Sequence, residues 1–143
     1  MTKRWTIPVL AIVMVFTLAG CKYPSWTEAG CRQEAIQETV ELKKATSALL
    51  PESIAATLEA SDGCDSGDEG GWLTAIVDGK TPSGTILGGF TAKGWSQLKL
   101  RKDECDVECI AGVTSQWQGK KVEVVVGATQ QAQTNEVTIE FAE

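Results

Sequence analysis

Alternation between apolar and polar positions is clearest in the C-terminal third of the chain. Val122, Val124 and Val126 are two apart, with Glu123 and Val125 between them. Val137, Ile139 and Phe141 repeat the spacing against Glu136, Thr138 and Glu140. Ala111, Val113, Ser115 and Trp117 share one side of the segment before them. Successive side chains of a strand point to opposite faces, so period-2 alternation predicts three strands. Gln118-Gly119-Lys120 reads as the turn between the first two, and 128–135 as a polar loop. Trp72 to Val77 is apolar nearly throughout and predicts a more central strand. Ile54, Ala56, Leu58 and Ala60 alternate with Ala55, Thr57 and Glu59, which predicts a half-buried strand. Leu98 and Leu100 alternate with Gln97, Lys99 and Arg101 within a further segment, Trp95 to Arg101.

Helical signals lie elsewhere. Ser25-Trp26-Thr27-Glu28 has the form of a capping box, with Ser25 as N-cap and Glu28 three later. Cys31, Ala35, Leu42, Ala45 and Leu49 then fall on one helical face, interrupted by Glu38. Pro51 disfavours helix at Leu50 and stops it there. Over 81–94, Thr81-Pro82 suits a helix start, Gly94 a stop, and Ile86, Leu87 and Phe90 one face. Gly84, Gly88 and Gly89 oppose this at about 1 kcal/mol each. The balance is a short helix near 82–93, with a hairpin as its rival. Short connections favour antiparallel pairing. The sum is an α+β fold, a long N-terminal helix packed on an antiparallel sheet of five or six strands.

The first twenty residues follow another logic. Lys3 and Arg4 precede an apolar run from Trp5 to Leu18, and Ala19 and Gly20 are small. That is the layout of a secretory signal. A membrane-spanning helix needs about 20 residues, whereas Trp5 to Gly20 supplies 16, broken by Pro8. Leu18-Ala19-Gly20-Cys21 resembles the lipobox of bacterial lipoproteins. That resemblance implies cleavage before Cys21, acylation of its sulfur with fatty acid such as palmitate, and anchoring on the extracytoplasmic face of the cell membrane. Two or three acyl chains anchor stably where one does not. The organisation expected is a signal peptide over 1–20, a short lipidated tether over 21–24 and a single domain over 25–143. Three extended residues between Cys21 and Ser25 reach only about 10 Å, which keeps the domain close to the bilayer. Trp26, five residues from the lipid, is the candidate for resting at the membrane interface.

Charge changes the picture of partners. The whole chain has 13 basic and 19 acidic side chains; loss of Lys3 and Arg4 leaves 11 against 19, a net of −8. Such a protein is repelled by nucleic acid and by anionic lipid headgroups, so electrostatic adhesion to the membrane is disfavoured as well. No nucleic-acid partner is therefore expected. Anchoring falls to the lipid, and an envelope protein is the expected partner.

The five cysteines become four once Cys21 is lipidated: Cys31, Cys64, Cys105 and Cys109. Export makes two disulfides the default, and three pairings are open. A helix starting near Cys31, followed by a strand returning antiparallel to it, brings Cys64 back to the helix start. Cys31–Cys64 is favoured on that ground, leaving Cys105–Cys109 as a tight local loop.

Candidate chemistry is sparse. The chain has no histidine, which removes Ser-His-Asp and Cys-His catalysis and the usual zinc sites. Cys105-Asp106-Val107-Glu108-Cys109 is one residue longer than a redox Cys-x-x-Cys, and its acids disfavour a thiolate. The 63–70 stretch lacks the spacing of a calcium loop. Trp72, Trp95 and Trp117 read as core. No catalytic residue, metal or cofactor is expected.

Cys64-Asp65-Ser66-Gly67 and Gly94-Trp95, ahead of C-terminal strands, resemble features of small actinobacterial lipoproteins of unknown function. The resemblance implies a location in the cell envelope and no particular activity. The function expected is a membrane-anchored binding or assembly module near the membrane surface. The alternative is a phage- or plasmid-encoded lipoprotein that excludes superinfection or entry, and an envelope hydrolase ranks third. Mass spectrometry of protein taken from membranes should find a mature chain starting at acylated Cys21. An unmodified thiol with residues 1–20 retained would remove the basis of this topology.

Overall fold

The computed structural model describes residues 24–66, 70–100, 108–129 and 133–142. Helix α1 (Glu28–Thr46) leads, followed by a single turn, α2 (Glu52–Ala55), and strand β1 (Glu59–Asp62). Strand β2 (Gly71–Asp78), helix α3 (Ser83–Ala92) and the two-residue β3 (Ser96–Gln97) come next. Three long strands close the chain: β4 (Glu108–Trp117), β5 (Lys120–Thr129) and β6 (Thr134–Ala142). They form one six-stranded sheet in the order β1-β2-β6-β5-β4-β3, antiparallel at every pairing. The α+β reading holds, with the N-terminal helix on a sheet at the upper of the two expected strand counts.

The core follows the alternation. Val122, Val124, Val126, Val137 and Ile139 are fully buried, as are Leu42, Leu73, Ile86 and Phe90. They form one cluster between the sheet and α1, the 50–58 segment and α3. The opposite sheet face carries Thr74, Ile76, Glu123, Val125 and Thr138; among the described residues no helix lies over it, and those positions are half-buried or exposed. Gln118 and Gly119 take positive φ values of 51° and 85°, as a tight hairpin turn between β4 and β5 requires. The β4–β5 register shifts between Cys109 and Ala111, a bulge that leaves Ile110 48% exposed.

Several boundaries differ from the pattern-based expectation. Thr27, not Ser25, caps α1; its hydroxyl accepts from the Gly30 N–H at 3.0 Å and donates to the Pro24 carbonyl at 2.7 Å. The helix ends at Thr46 rather than near Leu49, where the hydroxyls of Thr46 and Ser47 take the carbonyls of Leu42 and Lys43 at 2.7 Å. The strand expected from Ile54 to Ala60 is instead α2 and a turn, with β1 starting only at Glu59. Ile54 and Leu58 are buried while Ala56 and Ala60 are exposed. The apolar signal had a helical spacing of four, and alanines, at home on either face, supplied the false alternation. Of the strand expected over 95–101, residues 95–100 keep only β3, although the Leu98 N–H still reaches the Gly112 carbonyl at 2.9 Å; Arg101 lies outside the described residues.

The short helix near 82–93 forms, as α3. Its glycines are explained in part by packing: a Cβ on Gly89 would collide with the Leu49 carbonyl, so this position lets α3 pass the end of the first helical segment. Beyond α3, Trp95 folds back edge-on to Phe90, with ring centroids 4.9 Å apart.

Cys31 and Cys64 are bonded, with Cα atoms 5.7 Å apart across a sequence separation of 33. The chain returns to the start of α1 as expected, though through α2 and β1 rather than one strand. Cys109, at the start of β4, is also disulfide-bonded; its expected partner Cys105 lies outside the described residues, as does Cys21.

Two predictions concern stability. Replacing Cys31 and Cys64 together by serine should lower the unfolding free energy by about 3–4 kcal/mol, the loop-entropy value for a ring of this size, read by denaturant titration. Gly71→Ala should cost about 2 kcal/mol or more, because its new methyl would meet the Ala35 backbone, and thermal melting would show it.

Candidate functional site

The sheet is not continuous along its whole length. Pairing of β2 with β6 runs from Asp78↔Thr134 to Leu73↔Ile139 and stops. Gly71 and Trp72 continue beyond that point paired only to β1, at Asp62 and Ser61. Glu140 and Phe141 continue paired only to β5, at Glu123 and Val122. Between the two diverging ends opens a cleft of about 590 Å³. Trp72, Glu140 and Phe141 line it from the strands, Glu34 and Glu38 from α1, and Gln116, Lys120 and Lys121 from the β4–β5 hairpin.

Divergence deprives the Gly71 N–H of a strand partner, and Glu38 supplies one: its Oε2 accepts that proton at 2.9 Å. A carboxylate accepting a backbone N–H makes a short, strong bond. Ala35, one turn earlier on α1, packs so tightly on Gly71 that only glycine fits. The same Glu38 turns its Oε1 toward Lys120, whose Nζ lies 3.7 Å away and also 3.9 Å from Glu41 Oε2. That ammonium sits 4.7 Å from the centre of the Phe141 ring, close enough for cation–π attraction. Lys121 forms a separate pair with Glu123 at 2.9 Å on the open sheet face. The cleft therefore presents carboxylates and ammonium groups side by side over aromatic surface.

Among the described residues of the cleft, Glu140 is perturbed. Its carboxyl is pushed above the ordinary range, chiefly because the cleft strips water from it and secondly by the charge of Glu123 directly opposite in β5. The residue as a whole stays exposed, so solvent screens the effect. A desolvated carboxylate in a concave site marks a place where a cationic or hydrogen-bonding ligand group would be welcomed.

Of the residues singled out in the sequence, Cys31 lines the cleft and Cys64 holds it there. Trp26 is 81% exposed just before α1. Trp117 packs against the core with its indole N–H unpaired, and Trp72 stands in the cleft instead of the core. Glu38, Lys120 and Glu140 were not anticipated as a group. Only Glu38 left a trace in the sequence, as the acid that breaks an otherwise apolar helix face.

Since folding raises the Glu140 pKa, its contribution to stability is fully present below the unfolded carboxylate pKa and is lost as pH rises through the folded value. Glu140→Gln should therefore flatten the fall in stability on the alkaline side of the carboxylate range and leave more acidic conditions unchanged. Melting temperatures measured across mildly acidic pH would check this. Protein-family models, curated proteins and solved structures were all compared with this chain, and none matches.

Proposed function

We propose that the chain is a lipid-anchored lipoprotein of the cell envelope and a binding module, whose ligand seats in the cleft between the parted ends of β2 and β6. The observation that carries the reading is the cleft itself. It is built by interrupting a sheet, is walled by opposed charges over Trp72 and Phe141, and is held open by the Glu38 bond to Gly71. Two features support this reading. Ser25, only four residues along the chain from the expected acylated Cys21, lines the cleft. Its polar groups are also engaged with one another, through Glu38, Glu41 and Lys120, which suits recognition of a zwitterionic or peptide-like group rather than activation of a nucleophile.

A photo-crosslinking side chain at exposed Gln116, in the lipidated protein on its own membranes, should capture one discrete envelope component. The same group at Lys80, at the far end of β2, should not capture it. Lys121→Glu should weaken capture about tenfold, the equivalent of 1.4 kcal/mol. Equal capture from Gln116 and Lys80, or none from either, would overturn this assignment of the site.

A further inference from the structure

The solvent side of α1 carries a line of exposed apolar side chains. With 3.6 residues per turn, Ala29, Gln33, Ile36 and Val40 fall within about 60° of one another, and all four are exposed. Ile36 is 64% and Val40 46% exposed, and Trp26, in the turn just before the helix, is 81% exposed. Large apolar side chains left in water along one line mark a contact surface. Arg32, Lys43 and Lys44 border the stripe and are exposed. The helix's acids lie elsewhere. Glu34 and Glu38 face the cleft, Glu41 reaches Lys120 beside it, and Glu28 is paired with Arg32 at 2.9 Å.

We infer that this face of α1 lies along an anionic phospholipid surface, with Trp26, Ile36 and Val40 dipping into the headgroup boundary and Lys43 and Lys44 meeting the phosphates. The inference rests on the lipid-anchored reading above and adds to it an orientation and a lipid class. Two observations choose a bilayer as the occupant. The first is position: Trp26 lies five residues from Cys21, within a reach of about 10–15 Å, so an acylated chain delivers α1 to the membrane before any other element. The second is charge. Nineteen acids against eleven bases in the mature chain should repel such a surface, yet the side that would meet it is basic. Screening over about 8 Å at physiological salt lets this local face prevail over acids on the open sheet face, a helix diameter of about 10 Å and more away. An interfacial helix of this kind combines a buried apolar line with flanking cations.

The test uses the full lipidated chain on phosphatidylcholine vesicles with and without phosphatidylglycerol, both carrying brominated acyl chains that quench indole. In the presence of phosphatidylglycerol, the Ile36→Trp variant should lose the fluorescence that the new indole adds. An Ile76→Trp variant, on the open face of the sheet, should keep it. Removing phosphatidylglycerol, or combining Lys43→Glu with Lys44→Glu, should restore the Ile36→Trp signal while the protein still floats with the vesicles. Circular dichroism would confirm that the helix is intact. An unquenched Ile36→Trp on floating protein would overturn the docking and leave the anchor standing. Quenching that ignores phosphatidylglycerol and both lysine reversals would overturn the choice of anionic lipid. Protein that does not float and carries no acyl mass would overturn the anchor and the docking together.

Discussion

Helix α1 rests on the sheet through one crowded junction, where the backbone of Ala35 meets Gly71 and the Glu38 carboxylate takes the Gly71 N–H. Much else follows from it. Strand β2 leaves β6 at this end of the sheet and would strand a backbone donor in a partly dry place, a cost of about 1–3 kcal/mol if unmet. Glu38 meets it, and its second oxygen then draws Lys120 from the hairpin turn across the gap. One side chain thus ties a helix, the start of a central strand and the tip of a distant hairpin together. The cleft is what remains between those three attachments.

The exposed ion pairs around it, such as Lys120 with Glu38 and Glu41, contribute at most about 1 kcal/mol each. Their role is better understood as placement than as stability. With Lys120 held over Phe141 and Glu140 held against Glu123, the cleft keeps a fixed pattern of charge without a ligand. A site arranged in advance loses less entropy on binding than one that must assemble.

Strands β4, β5 and β6 were legible in the sequence because one of their faces is buried and the other open, which writes the period of two directly into the residues. The Cys31–Cys64 bond was legible for a topological reason, since any return toward the helix start brings the sulfurs together. The 54–60 segment misled because alanine is indifferent to burial, so it extended an Ile54–Leu58 helical spacing into an apparent alternation. The cleft was mostly hidden. It arises where strand pairing stops, and pairing depends on residues more than sixty positions apart, such as Leu73 and Ile139. Glu38 was the exception, visible as a charge on a face that should have been apolar, with its partner on the sheet beyond the reach of local pattern.

The cysteine bridge has a mechanical side. Cys31 lies in the first turn of α1, and its sulfur leads straight to Cys64, just past β1 at the sheet edge. Tension applied to the N-terminal end unwinds no more than that first turn before it meets a covalent link. From there the load divides between the helix and the sheet edge, and nineteen residues of hydrogen-bonded spiral need not bear it alone. A domain tugged from that end would hold its shape until the far strands slide, so the cleft walls beyond Cys31 keep their geometry under drag.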